Sequence, residues 1–520
     1  MKLWPLFSAL LWGAAPGDGV NYRSWTLELG GALLGVECLD VDQDGNLELC
    51  LAVLGSDQSR ELRFHRLVGQ KVELEPFQVV PVRDDAIAYG LAELRDDPGH
   101  ELFFMTKTGV WSYSLTKEGY RGNVERVLQS ELIYDVPDPD ALPYWRYVLP
   151  GSPRDKLLLP TPTGFALFGP IQGADTPYAA LTDFEQLGRP EVSINTDEGD
   201  SRGSLSLGPG GVRFSNAGPK DGQPPFMRPA DAAGETFLSN QRRVSAPALL
   251  DIDGDGGLDM VLRDSDGLRI HFHQDGSFGE LPDRIEAFPD YIKPGHELSF
   301  ADLDGDGDRD LVAKSNRDEE SSSLSSETFV VLLLINDGKR LLPEKPDQVL
   351  RFEAGRIVLE LLDVNADGRM DLSVRKFELP SLVAALSEFE LKLTDLLFLG
   401  EEGARPLTRK PVLRSTRSFT GENITRIATN RTWKLDCTGD GIADQVELDI
   451  EGNISVLQVK RTKKFFGGHS WDAAQSAWYR TRAASKFKRL QVLDLNGDGL
   501  GDILSPGSER LLILLSQASK

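Results

Sequence analysis

The sequence predicts an all-β fold, a β-propeller of seven or eight blades with eight favoured, and three observations carry that prediction. One acidic motif recurs along the chain at a spacing that suits four short strands per copy. Every copy lies between short runs of β-formers. The chain also ends so soon after its last copy that the last unit needs strands from the N-terminus, where "NYRSWTLELG" offers one.

The motif is D-x-[DNT]-x-D-G-x-x-[DE], and six copies keep it whole: "LDVDQDGNLEL" from Leu39, "LDIDGDGGLDMVL" from Leu250, "ADLDGDGDRDLV" from Ala301, "LDVNADGRMDLSV" from Leu362, "LDCTGDGIADQVEL" from Leu435 and "LDLNGDGLGDIL" from Leu493. Two worn copies fit the same frame. "AELRDDPGHELFF" keeps Asp97 and Glu101 but has Arg95 at the third position, and "YVLPGSPRDKLLL" keeps only Asp155, at the ninth. First positions fall at 40, 93, 147, 251, 302, 363, 436 and 494. The long step from 147 to 251 implies either an insertion or a ninth, eroded unit; residues 170–245, rich in Gly, Pro, Ser and Asp, favour the insertion. One propeller domain over 20–520 is expected, with insertions near 170–245, 315–327 and 376–400. In the last of these, Leu382, Ala385, Leu386 and Phe389 form a helical stripe after Pro380, which predicts a short helical insertion.

Carboxylates this dense repel one another, so something must hold them. Oxygens from positions 1, 3, 5 and 9, with the carbonyl of position 7, can surround one hard cation, and Gly at position 6 permits the left-handed backbone of a tight wrap. Calcium takes six to eight oxygens in flexible geometry, whereas magnesium demands a stricter octahedron. The absence of His and Cys from the ligand positions disfavours zinc and copper. The expected ligands are Asp40, Asp42, Asp44 and Glu48; Asp251, Asp253, Asp255 and Asp259; Asp302, Asp304, Asp306 and Asp310; Asp363, Asn365, Asp367 and Asp371; Asp436, Thr438, Asp440 and Asp444; and Asp494, Asn496, Asp498 and Asp502. Five or six structural Ca²⁺ ions follow. The first three loops, with four acids each, should bind more tightly than the last three, and Thr438 marks the weakest. A single such loop could be an Asx-rich turn that binds nothing; six in register weigh against that. An EF-hand needs Glu at position 12 and flanking helices, but position 12 is Leu51, Leu262, Ala313, Val374, Glu447 and Ser505, and the flanks read as strands.

A net charge of −24 argues against nucleic acid as a partner. "MKLWPLFSALLWGAAPGDG" resembles a secretory signal over residues 1–15, with no Cys after the apolar run to take a lipid. A secreted or periplasmic monomer with no transmembrane segment is expected. Cys38 and Cys50 flank the first loop almost symmetrically, which leaves both a cross-strand disulfide and two buried free thiols open. His271 and His273 read as one exposed polar strand face. Residues 451–490 hold nine Lys or Arg against two acids, together with Trp471, Trp478 and Tyr479. Such a segment suits an anionic glycan, a protein partner or a merely solvated rim. No nucleophile elbow, P-loop, zincin helix or Cys/His cluster is present, and no catalytic residue is assigned.

The loops resemble those of FG-GAP/VCBS-type repeats, the calcium-loop blades of integrin α-chain heads and of exported bacterial proteins. The resemblance runs from about residue 25 to the end and implies a propeller with calcium at the first hairpin of each blade. The Phe-Gly and Gly-Ala-Pro signatures of integrin repeats are missing, so integrin-like ligand recognition is not implied. The expected function is a noncatalytic binding or adhesion module for a protein or glycan ligand. A calcium-dependent polysaccharide lyase or a lectin on the same propeller is the alternative.

Overall fold

The motif spacing is met blade by blade in the computed structural model. It describes residues 20–518 apart from 96–99, 117–118, 121–123, 133–140, 152–153, 162–163, 172–176, 186–189, 197–202, 209–210, 216–236, 243–246, 275, 294, 316–326, 379–389, 404, 421–426, 465–467, 475 and 484–489, with the backbone alone at 185–246, 429 and 518. Eight antiparallel sheets follow one another as blades 1 to 8, over residues 31–81, 88–129, 148–185, 248–287, 297–354, 356–420, 428–482 and 491–518. Blade 8 has only three strands of its own, Gln491–Leu493, Asp502–Pro506 and Arg510–Ala518. Its fourth is Val20–Glu28, antiparallel to Arg510–Ala518 with Val20 opposite Ala518 and Glu28 opposite Arg510. The N-terminal strand closes the ring.

The second strand of each blade reads as a nearly continuous apolar run because neighbouring blades cover both of its faces. Leu49 to Val53 and Leu102 to Met105 are fully buried in this way. Outer strands such as Leu413–Thr420 alternate between buried and exposed positions instead. Neighbouring blades share apolar clusters around the whole ring: Phe64 of blade 1 with Tyr89 and Phe104 of blade 2, Phe103 with Phe168, Leu158 with Met260, Ile270 with Leu332, Leu333 with Leu372, Leu397 with Trp433, Val446 with Ile503, and Ile513 of blade 8 with Leu51 of blade 1. There are therefore eight blades in the ring, and no helix among the described residues.

The long motif step is resolved in favour of an insertion, with its start moved. Tyr178–Glu185 is the outer strand of blade 3, so the insertion begins after it. Four further strands, Pro190–Thr196, Gly203–Gly208, Gly211–Ser215 and Phe237–Arg242, pair only with one another. Blade 3 packs directly on blade 4 through Leu158, Phe165, Met260 and Leu262, so the extra sheet is not a ninth blade. The expected signal, and nearly all of the expected helix and of the 315–327 loop, lie outside the described residues. Asp371–Glu378 and Glu390–Phe398, however, are paired strands of blade 6.

One open alternative closes and one expectation is corrected. Cys38 pairs with Leu49 and Cys50 with Glu37, because the ladder pairs Leu39 rather than Asp40 with Glu48. That one-residue offset sends the two thiols to opposite faces of the sheet. Cys38 packs toward blade 8 and Cys50 toward blade 2, and both are free, with burial pushing each thiol up to about 12. His271 is not on an exposed face either. It is buried edge-on against Phe184 of blade 3, and its Nδ1 lies 3.0 Å from the Gly279 carbonyl.

Candidate metal centres

Each whole motif joins the first strand of a blade to the second, so repetition of the blade puts all six loops on one rim. Their backbones share one conformation. Position 6 is left-handed in every copy, from +80° at Gly441 to +102° at Gly307. Position 4 is left-handed too, and there two copies use residues with a Cβ, Gln43 at +59° and Ala366 at +55°. Such φ values are costly outside glycine, so the loop's own bonds must hold them.

Those bonds come from the acids. In the loop from Asp251, its Oδ1 accepts the Gly254 N–H at 2.8 Å and its Oδ2 the Gly256 N–H at 2.9 Å. Asp253 accepts from Asp255 N–H at 3.3 Å and Asp255 from Gly257 N–H at 2.7 Å. The position 1 carboxylate takes the position 6 N–H in all six loops. Each carboxylate oxygen has two lone-pair directions, so one N–H leaves the other free for a cation. In three loops the acids converge enough to test that directly: Asp40, Asp42 and Glu48; Asp251, Asp253 and Asp255; and Asp302, Asp304 and Asp306 each bring oxygens within 4.8 Å of one another. The donors are all oxygen and suit a hard cation of calcium's size.

Position 9 does a second job that the motif alone does not reveal. One oxygen of Glu48, Asp259, Asp310, Asp371, Asp444 and Asp502 accepts the N–H of loop position 2, at 2.6 to 3.0 Å. In the last five the other oxygen accepts an N–H from the end of the third strand or just beyond it, as from Gly400 to Asp371 at 2.7 Å. This carboxylate staples loop, second strand and third strand together. Burial pushes Glu48, Asp310, Asp371 and Asp444 up to about 7, against the pull of those N–H bonds and with help from neighbouring loop acids. Asp371→Ala should orphan the buried Val364 N–H and the half-buried Gly400 N–H, at ~1–3 kcal/mol each. An expected loss of about 2–6 kcal/mol with or without calcium would show in urea unfolding, whereas Asp367→Asn should matter only when calcium is present.

Consecutive loops are latched. Met370 N–H donates to the Asp302 carbonyl at 3.2 Å, Ala443 to Val364 at 2.9 Å and Gly501 to Asp436 at 2.7 Å. Of the worn copies, the first keeps the bond to position 2, Glu101 accepting Leu94 N–H at 2.6 Å, whereas Asp155 of the second accepts Glu93 N–H of the preceding loop at 2.8 Å and Gly151 N–H at 3.3 Å. At position 3 of the first of them stands Arg95, bound to Ser112 and Ser114 hydroxyls, a fixed cation where other loops place an oxygen.

Residues 251–313, which span two of these loops, match the family model described as FG-GAP-like repeat. The chain is an eight-bladed β-propeller that carries an FG-GAP-like repeat at 251–313. Other comparisons are distant, and no curated protein matches this chain's sequence. Among solved structures it is similar to BBS1N in complex with ARL6DN (10% identity, 84% of this chain and 96% of that one, TM-score 0.29). It is also similar to the WD40 domain of SCAP from fission yeast (10%, 95% and 98%, 0.36) and to the core factor of S. cerevisiae (7%, 98% and 62%, 0.34).

The basic segment of this propeller is built as a hairpin, Val459–Lys463 paired with His469–Ala473, between the third and fourth strands of blade 7. Lys460, Arg461, Lys463 and Lys464 are exposed, while Trp471 is buried against Leu413 of blade 6 and anchors the hairpin. Its base touches the blade 7 loop, where Gln458 Nε2 donates to Asp440 at 3.0 Å.

Proposed function

We propose that this propeller is an exported, noncatalytic binding or adhesion module that acts as a monomer, with five or six structural Ca²⁺ ions stiffening one rim. The observation that carries the reading is the set of six loops of one geometry, several latched in series. A rim rigid in this way can present side chains without losing loop entropy on binding. No helix among the described residues is long and apolar enough to cross a membrane. The ligand is a protein or a glycan.

A second reading, glycan recognition by a lectin or a calcium-dependent lyase, is favoured by the exposed cations of the blade 7 hairpin. The test is to mix calcium-loaded protein with polygalacturonate and with a neutral glucan, following binding by calorimetry and unsaturated ends by ultraviolet absorbance. Absorbing product would overturn the noncatalytic reading. Binding of the acidic polymer without product would make the glycan the ligand, and no binding to either would leave a protein ligand.

A further inference from the structure

The loop of blade 5 differs from the other five at position 7. That position is Asn46, Gly257, Arg369, Ile442 and Leu500 elsewhere, but Asp308 here. Position 7 leans on the preceding loop, as Arg369 does over Gly305, where its Nε donates to the Asp304 carbonyl at 3.3 Å. Asp308 is walled in the same way: a Cβ on Gly254 would lie 3.7 Å from its own. Its residue is only 6% exposed, and its Oδ1 has no hydrogen-bond partner. Its nearest like charges are Asp306, Asp310 and Asp304. A buried carboxylate set among like charges, with one oxygen lacking a donor, is costly unless a cation joins it.

We infer that Asp308 is a cation-binding side chain outside the repeat's own ligand set, so that the blade 5 loop gathers five carboxylates and is the tightest divalent-cation site in the ring. The inference rests on the calcium reading of the loops. Calcium's flexible shell of six to eight oxygens accepts an additional ligand, and ligand charge is what tunes affinity in oxygen sites. The other two four-acid loops lack a carboxylate at this position, having Asn46 and Gly257.

The experiment is calcium calorimetry on the EDTA-stripped full chain as wild type, Asp308→Asn and Asp304→Asn, with a melt of each in EDTA to establish folding. Asp308→Ser stands in if the amide variant does not fold. The expected result is that Asp308→Asn weakens the first-filled site about ten- to a hundredfold and leaves the others unchanged, while Asp304→Asn removes that same site. If Asp308→Asn raises the melt in EDTA but its isotherm superimposes on wild type while Asp304→Asn loses a site, Asp308 is no ligand and the calcium reading survives. If wild type binds no calcium, the calcium reading fails and this inference fails with it.

Discussion

Chelating divalent cations should lower the melting temperature of the propeller, and calcium added back should restore it while titrating five or six sites. The expected size follows from charge. Three carboxylates at about 5 Å repel one another pairwise by roughly 1 kcal/mol in water and about 3 at an effective dielectric of 20. The six N–H bonds within the Asp251 loop and its staple oppose that repulsion, each contributing about 1.5–3 kcal/mol when the acceptor is charged. The bonds together, about 9–18 kcal/mol, match or exceed the three pairwise repulsions, about 3–10 kcal/mol, so the stripped loops should stay folded at a loss of stability rather than melt outright. Each filled site then adds about 2.7 kcal/mol at a hundredfold excess of calcium over Kd. Six ions would also take the net charge from −24 to −12. Stepwise calorimetry with a melt at each addition reads both effects. No heat and an unchanged melt would mean that the backbone bonds alone hold the loops, which would then be bare turns.

Much of this architecture is legible because the motif is local. Nine residues specify a turn, its left-handed glycine and its flanking strands, so six whole copies and two worn ones reveal the period, favour eight blades over seven and point to a borrowed strand. What escapes is whatever depends on partners distant in sequence. Register in the first hairpin turns on one residue, which the symmetry of Cys38 and Cys50 about the loop does not fix. The staple role of Asp371 escapes too, because its second partner, Gly400, lies 29 positions on. Asp308 looks like one more acid in an acidic loop until the preceding loop is seen to cover it. The charged residues on the blade 6 and 7 strands, several of them buried, are marked by no local motif.

Those residues carry the second large effect: Asp395→Ala should cost about 3–5 kcal/mol, the typical result of stripping one partner from a buried ion pair. Arg375 lies opposite Asp395 in blade 6, and Arg431 lies opposite Glu447 in blade 7. The two cross-strand pairs meet at the blade interface. Arg375 binds Asp395 through two nitrogens at 2.7 and 2.9 Å and also reaches Glu447, while Arg431 Nη1 lies 2.6 Å from Asp395 and Arg417 Nη1 lies 2.6 Å from Glu447. Burial by itself would raise the Asp395 carboxyl, but Arg431, Arg375 and Arg417 outweigh it and hold the group well below the usual carboxylate range; Glu447 is lowered by Arg417 and Arg375 against the same burial. Both groups release protons more readily folded than unfolded. Their stabilisation is therefore complete above the unfolded carboxylate pKa of about 4 and declines as the pH falls below it. Urea unfolding at pH 7 and pH 3 should show wild type losing more stability on acidification than Asp395→Ala does. Replacing Arg375, Asp395, Arg431 and Glu447 together with apolar residues should cost less than Asp395→Ala alone, because the desolvation of four charges disappears with their attraction. A quadruple variant less stable than the single one would show that the ionic centre binds blade 6 to blade 7 better than an apolar interface could.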